Sequence, residues 1–436
     1  MTSTQEQTRN VVITGIGLLS PLGIGQEAYL AGLLEGRSGV GTVEAFNCAP
    51  SPGKIGAEIR EFTEAAARKS WLKAVRKNIK VMCREIQLGV ASAALALEDS
   101  ALDLEAIDHQ RIGVEFGANL MFTPPTSLTD PNRECMDEEA NFHPEQWGEK
   151  GLGKMEPLWM LKYLPNMPAC HIGILADARG PNNSLTMDEA AGNLVIREAT
   201  SIIRRGAADI MIVGSTGSRI DPVDAVHAAV WKELGYDPEN PAASLKPYDK
   251  NRNGQVLGEA ACSLMLESEE HAKARGATIY GRILGYGASC VGSPTGEADV
   301  ARAVANTLRQ TLESAGVTTS DLSHINGHGV GDPKLDAQEA KGIVDALGEA
   351  GSQIPVTSFK GHIGNSRAGC GIIELAGSLL AVRDGRIPQT LNYSTPDPDC
   401  PINVVHGEPQ STSEKAFLNL NLTKVGQASA VVVAVA

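Results

Sequence analysis

Three stretches of this chain set reactive side chains among glycines at the ends of short apolar runs. "GPNNSLTMDEAAGN" carries Glu189 at a corner formed with Met187 and Asp188. "NGHGVGDPKLDAQE" carries His328 between two glycines, with Asp336 and Glu339 opening the helix that follows. "VTSFKGHIGNSRAGCGIIE" carries Lys360, His362 and Asn365. A strand-to-helix corner is where α/β enzymes hold a nucleophile, yet neither Ser nor Cys stands here. The helix N-terminus favours an anion by ~0.3–1 kcal/mol, so a carboxylate fits as a base or as a fixed anion paired with His328. Polar residues at several strand ends in Gly-rich loops are how sheet-based enzymes assemble a site.

The elements that must position these residues are legible as alternating strands and helices. Apolar, β-rich runs fall at 10–19, 111–120, 208–216, 261–268, 280–289, 324–329 and 428–435. Helical patterns lie between them, which predicts α/β layers. Met82, Ile86, Val90 and Ala94 recur at helical spacing, predicting a buried helix. After Glu189, the residues Val195, Ala199, Ile202 and Ile203 form one stripe that Arg204, Arg205 and Gly206 close as a cationic last turn and cap. Residues 119–170 are proline-rich and read as an irregular excursion, a lid or interface rather than core. The expected organisation is a flexible N-terminus at 1–10, a first half at 11–270 carrying the 119–170 insertion, and a second half at 271–436.

Composition narrows the function classes. The net charge of −14 argues against nucleic acid as a partner. No apolar run approaches the ~20 residues of a membrane span. The eight cysteines are scattered without a C-x-x-C, so free thiols in a reducing cytoplasm are the expectation. "DKNRNG" (249–254) imitates the start of a calcium loop, but Ala260 stands where the bidentate Glu is needed, so a hydrogen-bonded turn is expected. "TGIGLLSPLG" (14–23) has Ser20 at the third glycine position of a dinucleotide fingerprint. Cys135, Asp137, Glu138, Glu139 and His143 match no standard metal spacing, so no metal is expected.

Taken in order, "VVITGIGLLSPLG", "ARGPNNSLTMDEA", "PYDKNRNGQVLGEAA", "NGHGVGDPKLDAQE" and "VTSFKGHIGN" resemble the β-ketoacyl-acyl-carrier-protein synthases, condensing enzymes of the thiolase superfamily. The resemblance covers nearly the whole chain. It implies a duplicated five-layer α/β/α/β/α fold, a homodimer or a heterodimer with an intact ketosynthase, and no cofactor beyond a phosphopantetheine-linked substrate on an acyl carrier protein. It also implies a Cys nucleophile at the corner, two decarboxylating His residues and a supporting Lys–Glu pair. Carried over residue by residue, the nucleophile position falls on Glu189, the first His on His328, the pair on Lys360 and Glu374, and the second His on Asn365. A shifted alignment would use His362 instead, although the Lys360–Glu374 spacing favours the ungapped one. The family's glycine-rich gate and oxyanion loop falls near Thr423 and Gly426 without its phenylalanine. One oxyanion donor is worth ~2.7–4 kcal/mol in rate, so that change bears on condensation.

A glutamate cannot replace the thiolate that stores the acyl chain. Three readings follow: a non-elongating subunit of the chain-length-factor type, a malonyl-carrier-protein decarboxylase, or a Glu/His-dependent acyltransferase or hydrolase on carrier-bound thioesters. The basic run Arg68, Lys69, Lys73, Arg76, Lys77, Lys80 and Arg84 reads either as a solvated helix face or as docking for an acidic carrier or partner.

Overall fold

The computed structural model describes residues 9–294 and 297–436. Residues 1–8, most of the segment expected to be flexible, lie outside the described residues. Arg9 and Asn10 are held: Arg9 Nη2 donates to Asp209 Oδ1 at 2.6 Å and Asn10 Nδ2 to Glu269 Oε2 at 2.7 Å.

The first part of the chain forms strands β1 (Val11–Ser20), β2 (Ile112–Ala118), β3 (Asn182–Leu185), β4 (Ile210–Ser218) and β5 (Glu259–Ser268). The second forms β6 (Gly281–Cys290), β7 (Leu322–Asn326), β8 (Pro355–Thr357), β9 (Asn403–Val404), β10 (Ala416–Leu422) and β11 (Gln427–Val435). The two sets meet at a short seam, where Val11–Ile13 of β1 pair with Gly281–Ile283 of β6. Outward from the seam the first set runs β1, β5, β4, β2, β3 and the second β6, β11, β10, β7, β8, with β9 beyond. Each has two antiparallel steps followed by two parallel ones. The same topology is therefore built twice.

Helices fill three layers around these sheets. α1 (Arg84–Asp99) and α2 (Met167–Ala176) cover the outer face of the first set. α3 (Ala191–Arg204) and α7 (Cys370–Arg383) lie between the two sets, touching β4 and β5 on one side and β10 and β11 on the other. α5 (Val300–Ala315) and α6 (Pro333–Leu347) cover the outer face of the second set, and α4 (Pro222–Val230) flanks the end of β4. The result is five layers of the thiolase-like kind, as the resemblance implied.

Central position explains composition. α7 is buried on every side, as a helix apolar all round must be. α3 buries Val195, Ala199, Ile202 and Ile203, and Gly206 closes it with φ +72°. The two helices touch through glycine: a Cβ on Gly192 would lie 2.8 Å from Gly371 Cα, which only backbone-to-backbone contact allows. The 119–170 excursion is a chain of short helical turns, with α2 already begun at Met167. It exposes Leu120, Met136, Phe142, Leu152, Leu158 and Met160. The "DKNRNG" segment is a turn: Asp249 accepts the backbone N–H groups of Asn251, Ser394 and Thr395 at 2.7, 2.6 and 2.7 Å.

Candidate active site

β3 ends at Leu185, and the chain reverses through Asp188, whose φ is +43°, before a helical turn leads into α3. A non-glycine residue held there stores of the order of 1 kcal/mol of strain. The corner brings Glu189 to the wall of a cavity of about 510 Å³. His328, Asn365, Gln255, Arg219, Arg367 and Thr423 share that wall.

The loop after β7 carries His328 and is fastened from behind by two carboxylates of α6. Glu339 accepts the backbone N–H groups of His328 at 2.6 Å and Gly329 at 2.9 Å. Asp336 accepts those of Val330 at 3.0 Å and Tyr248 at 2.9 Å. Burial raises Glu339 to about 7 and Asp336 to about 6. Burial, and then the Lys360 charge, hold the His328 imidazole well below its ordinary 6.5, so it is neutral. Its Nδ1 is buried without a hydrogen-bond partner.

Behind the cavity, Lys360 Nζ donates to Glu374 Oε1 at 2.7 Å, with both side chains fully buried. Burial is the largest influence on Lys360 and lowers it, but the Glu374 charge and hydrogen bond, with Cys370 and Glu339, together leave it raised. Asn421 Nδ2 completes Glu374 at Oε2, 2.7 Å away, and its own Oδ1 accepts from Asn193 and Asn419 at 3.0 and 3.1 Å.

Asn365 is the residue that meets Glu189. Its Nδ2 donates to Glu189 Oε1 at 3.1 Å and to Gln255 Oε1 at 2.6 Å. Its Oδ1 accepts the Arg367 N–H at 3.0 Å. Gln255 is oriented in turn, since its Oε1 also accepts from Arg219 Nη1 at 2.8 Å and its Nε2 donates to Glu233 at 3.0 Å. Both amide hydrogens of Asn365 therefore point at acceptors within the protein.

His362 lies elsewhere. It is fully buried, with Nδ1 2.9 Å from the Arg37 carbonyl and Nε2 3.0 Å from that of Gln389, and it does not line the cavity. The shifted alignment that would bring His362 to the site is thus at odds with the geometry, because main-chain carbonyls occupy both ring nitrogens.

Thr423 and Gly426 close the turn between β10 and β11: Gly426 N–H donates to the Thr423 carbonyl at 3.1 Å, and Gly426 has φ +81°. Thr423, Lys424 and Val425 reach the cavity, whereas Gly426 does not line it.

The basic run divides. Arg84 Nη2 pairs with the buried Glu259 at 2.6 Å and its guanidinium also donates to the carbonyls of Phe62 and Ile59, so it is structural. Arg68 is exposed and paired with Glu64 one turn away. Lys69 is exposed, while Lys73, Arg76 and Lys77 line an open groove of about 1120 Å³ that shares no residue with the site cavity.

Sequence reading passed over Arg219, Gln255 and Arg367. Arg367 stands two residues after Asn365, Gln255 directly follows the calcium-like turn, and Arg219 directly follows β4. Only the fold unites them.

Comparison with known proteins agrees with this architecture. The model of the β-ketoacyl synthase N-terminal domain matches residues 8–272 and that of its C-terminal domain residues 280–394. A 3-oxoacyl-[acyl-carrier-protein] synthase 2 from Synechocystis sp. is 30% identical over 406 residues, 92% of each chain. The ketoacyl synthase alpha subunit of the tetracenomycin polyketide synthase from Streptomyces glaucescens is 32% identical, over 92% of this chain and 91% of that one. Among solved structures, the ishigamide ketosynthase/chain length factor superposes with a TM-score of 0.84 at 25% identity, over 98% of this chain and 100% of that one. A type II polyketide ketosynthase, bound to hexaketide and in complex with its acyl-carrier protein, gives 0.80 at 25% identity, over 99% and 100%. Two domain models in their proper order, relatives matched along nine-tenths of their length and a shared five-layer fold lead to one conclusion: this chain belongs to the β-ketoacyl synthase family.

Proposed function

We propose that this chain is a non-elongating subunit of the chain-length-factor type, in which Glu189 stands where a condensing synthase has its nucleophilic cysteine. One observation carries the reading: the cavity wall at the corner offers a carboxylate already bonded to Asn365, and Thr423 is its sole hydroxyl side chain, with no thiol, among the described residues. A carboxylate attacks thioesters poorly and cannot hold the acyl chain as a thioester. Asn365, in the second His position, has no amide hydrogen free to bind a thioester carbonyl. His328 and the Lys360–Glu374 pair then remain as inherited scaffold. The chain contributes a dimer surface and part of an acyl chamber to a partner synthase, with an acyl carrier protein docking through its phosphopantetheine arm. Lys69, Lys73, Arg76 and Lys77, with Arg68, are the surface offered to that acidic carrier. Residues 11–270 and 271–436 are the two ketosynthase-like halves. Eight free cysteines support a reducing, cytoplasmic setting, and among the described residues no helix is long and apolar enough to cross a membrane.

A second reading is favoured by one specific contact set: a neutral imidazole and a carboxylate face the same cavity, which suits general-base hydrolysis or transfer of a carrier-bound acyl group. The deciding experiment is intact-mass analysis of malonyl- and acyl-carrier protein incubated with the purified chain, with Glu189→Ala as control. We expect both carriers to be unchanged, and the chain to co-purify with a co-expressed intact ketosynthase. Loss of carbon dioxide or of the acyl group, abolished by Glu189→Ala, makes it an enzyme and rejects the subunit reading.

A further inference from the structure

The inner wall of the cavity beside Glu189 is ionic. Arg219 is fully buried, Arg367 is three-quarters buried, and Asp224 lies between them, 3.5 Å from Arg219 Nε and 3.2 Å from Arg367 Nη2. Arg219 Nη1 is used by Gln255, but Nη2 makes no hydrogen bond, its nearest carboxylate, Glu233, being 3.5 Å away outside bonding geometry. Asp188, Glu189 and Glu233 complete this part of the lining.

An alkyl chain laid on such a wall would strip water from ions and return no hydrogen bonds. Over the whole lining, a carboxylate would meet Asp188, Glu189, Glu233, Glu297 and Asp332 against Arg219, Arg367, Lys334 and Lys424, one more anion than cation, with Asp224 behind the two arginines. A neutral, acceptor-rich chain suffers neither cost, because its carbonyl or hydroxyl oxygens take up donors left over at the guanidinia.

We propose that the Arg219–Asp224–Arg367 cluster makes this cavity selective for oxygenated acyl chains, β-keto or β-hydroxy, over alkyl and ω-carboxyl ones. This rests on the reading that the cavity receives a carrier-bound acyl group.

The test uses inert probes: acyl carrier protein whose pantetheine bears octanoyl, 3-oxooctanoyl or malonyl through an amide in place of the thioester. Affinities for the full chain are measured by titration calorimetry, with the partner synthase present if the two co-purify. The 3-oxooctanoyl probe is expected to bind on the order of tenfold more tightly than either other probe. Because Arg219→Leu alone removes one of the two cations that flank Asp224, the charge-balanced double variant Arg219→Leu/Asp224→Leu is the main comparison, with Arg367→Met as a second. Both should lose the preference, and the double variant should gain affinity for octanoyl. Equal or reversed preference in the unaltered chain, or no binding of any probe, overturns the proposal. Turnover of native thioesters would reject the subunit reading while leaving the preference among inert probes to stand, so the two failures are separable.

Discussion

Glu189, Asn365 and Gln255 show how much chemistry a single carboxylate redirects. Asn365 would present its amide to the cavity if Glu189 did not accept from it, and Gln255 fixes which way the amide faces. His328 supplies a measurable signature of the same environment. Its folded value is depressed well below the ordinary 6.5, so below that pH the unfolded chain binds a proton that the native chain refuses. The His328 contribution to stability is full above about pH 6.5 and falls as the pH drops from there. His328→Asn should shrink the loss of melting temperature between pH 6.5 and 5; an unchanged loss would show that the imidazole is charged in the fold. Glu85, buried in α1 against the Asn119 and Ser218 N–H groups, works the other way. Burial raises it to about 8, so the native chain keeps a proton that the unfolded chain releases above its ordinary 4.5. Its contribution to stability therefore declines as pH rises from about 4.5 to about 8, and Glu85→Gln should flatten that decline in denaturant midpoints measured across the same range.

At the scale of elements, the loops were legible where side chains carry the information and illegible where packing does. The corner at Glu189 and the His328 loop could be named from the residues because each needs particular types at particular steps, and the Lys360–Glu374 pair followed from the family resemblance. The strand β10 could not. Its "AFLNLNL" alternates amides with leucine, which reads as one polar face, yet Asn419 and Asn421 are fully buried. They bond to Asn193, Glu374 and each other, partners that lie on α3, α7 and β10 and that periodicity alone does not reveal. Arg219 and Arg367 were missed for a related reason: a buried arginine looks like any surface arginine until its carboxylate arrives from another element. The Lys360–Glu374 pair gives a prediction at this scale. Lys360→Met leaves a buried carboxylate uncompensated and should cost ~3–5 kcal/mol, whereas Lys360→Met with Glu374→Leu should cost much less. Urea unfolding of both variants measures the difference, and equal costs would mean that packing rather than charge holds this position.

Across the whole molecule the five layers were foreseeable, because strands and helices alternate and a resemblance runs from end to end. The doubled strand order is the duplication that the resemblance implied, whereas the seam was not visible, because Val11–Ile13 pair with Gly281–Ile283 far away in the sequence. The central helices make the molecule one mechanical unit. Gly192→Ala would drive a methyl group into Gly371 and push α3 from α7, an overpacking expected to cost ~1–3 kcal/mol. Calorimetry on that variant should show a lower melting temperature; an unaltered one would mean the two helices are free to slide apart.

The doubled strand order has a consequence for how such a pocket can change its chemistry. β3 and β8 are corresponding strands, and the residues that follow them, Glu189 in one half and Asn365 in the other, touch. The two halves thus confront each other with the same exit, like two doors opening onto one corridor. A substitution at either door is felt at once by the other, so the pocket's identity is written jointly, and neither half can be read, inherited or redesigned without its twin.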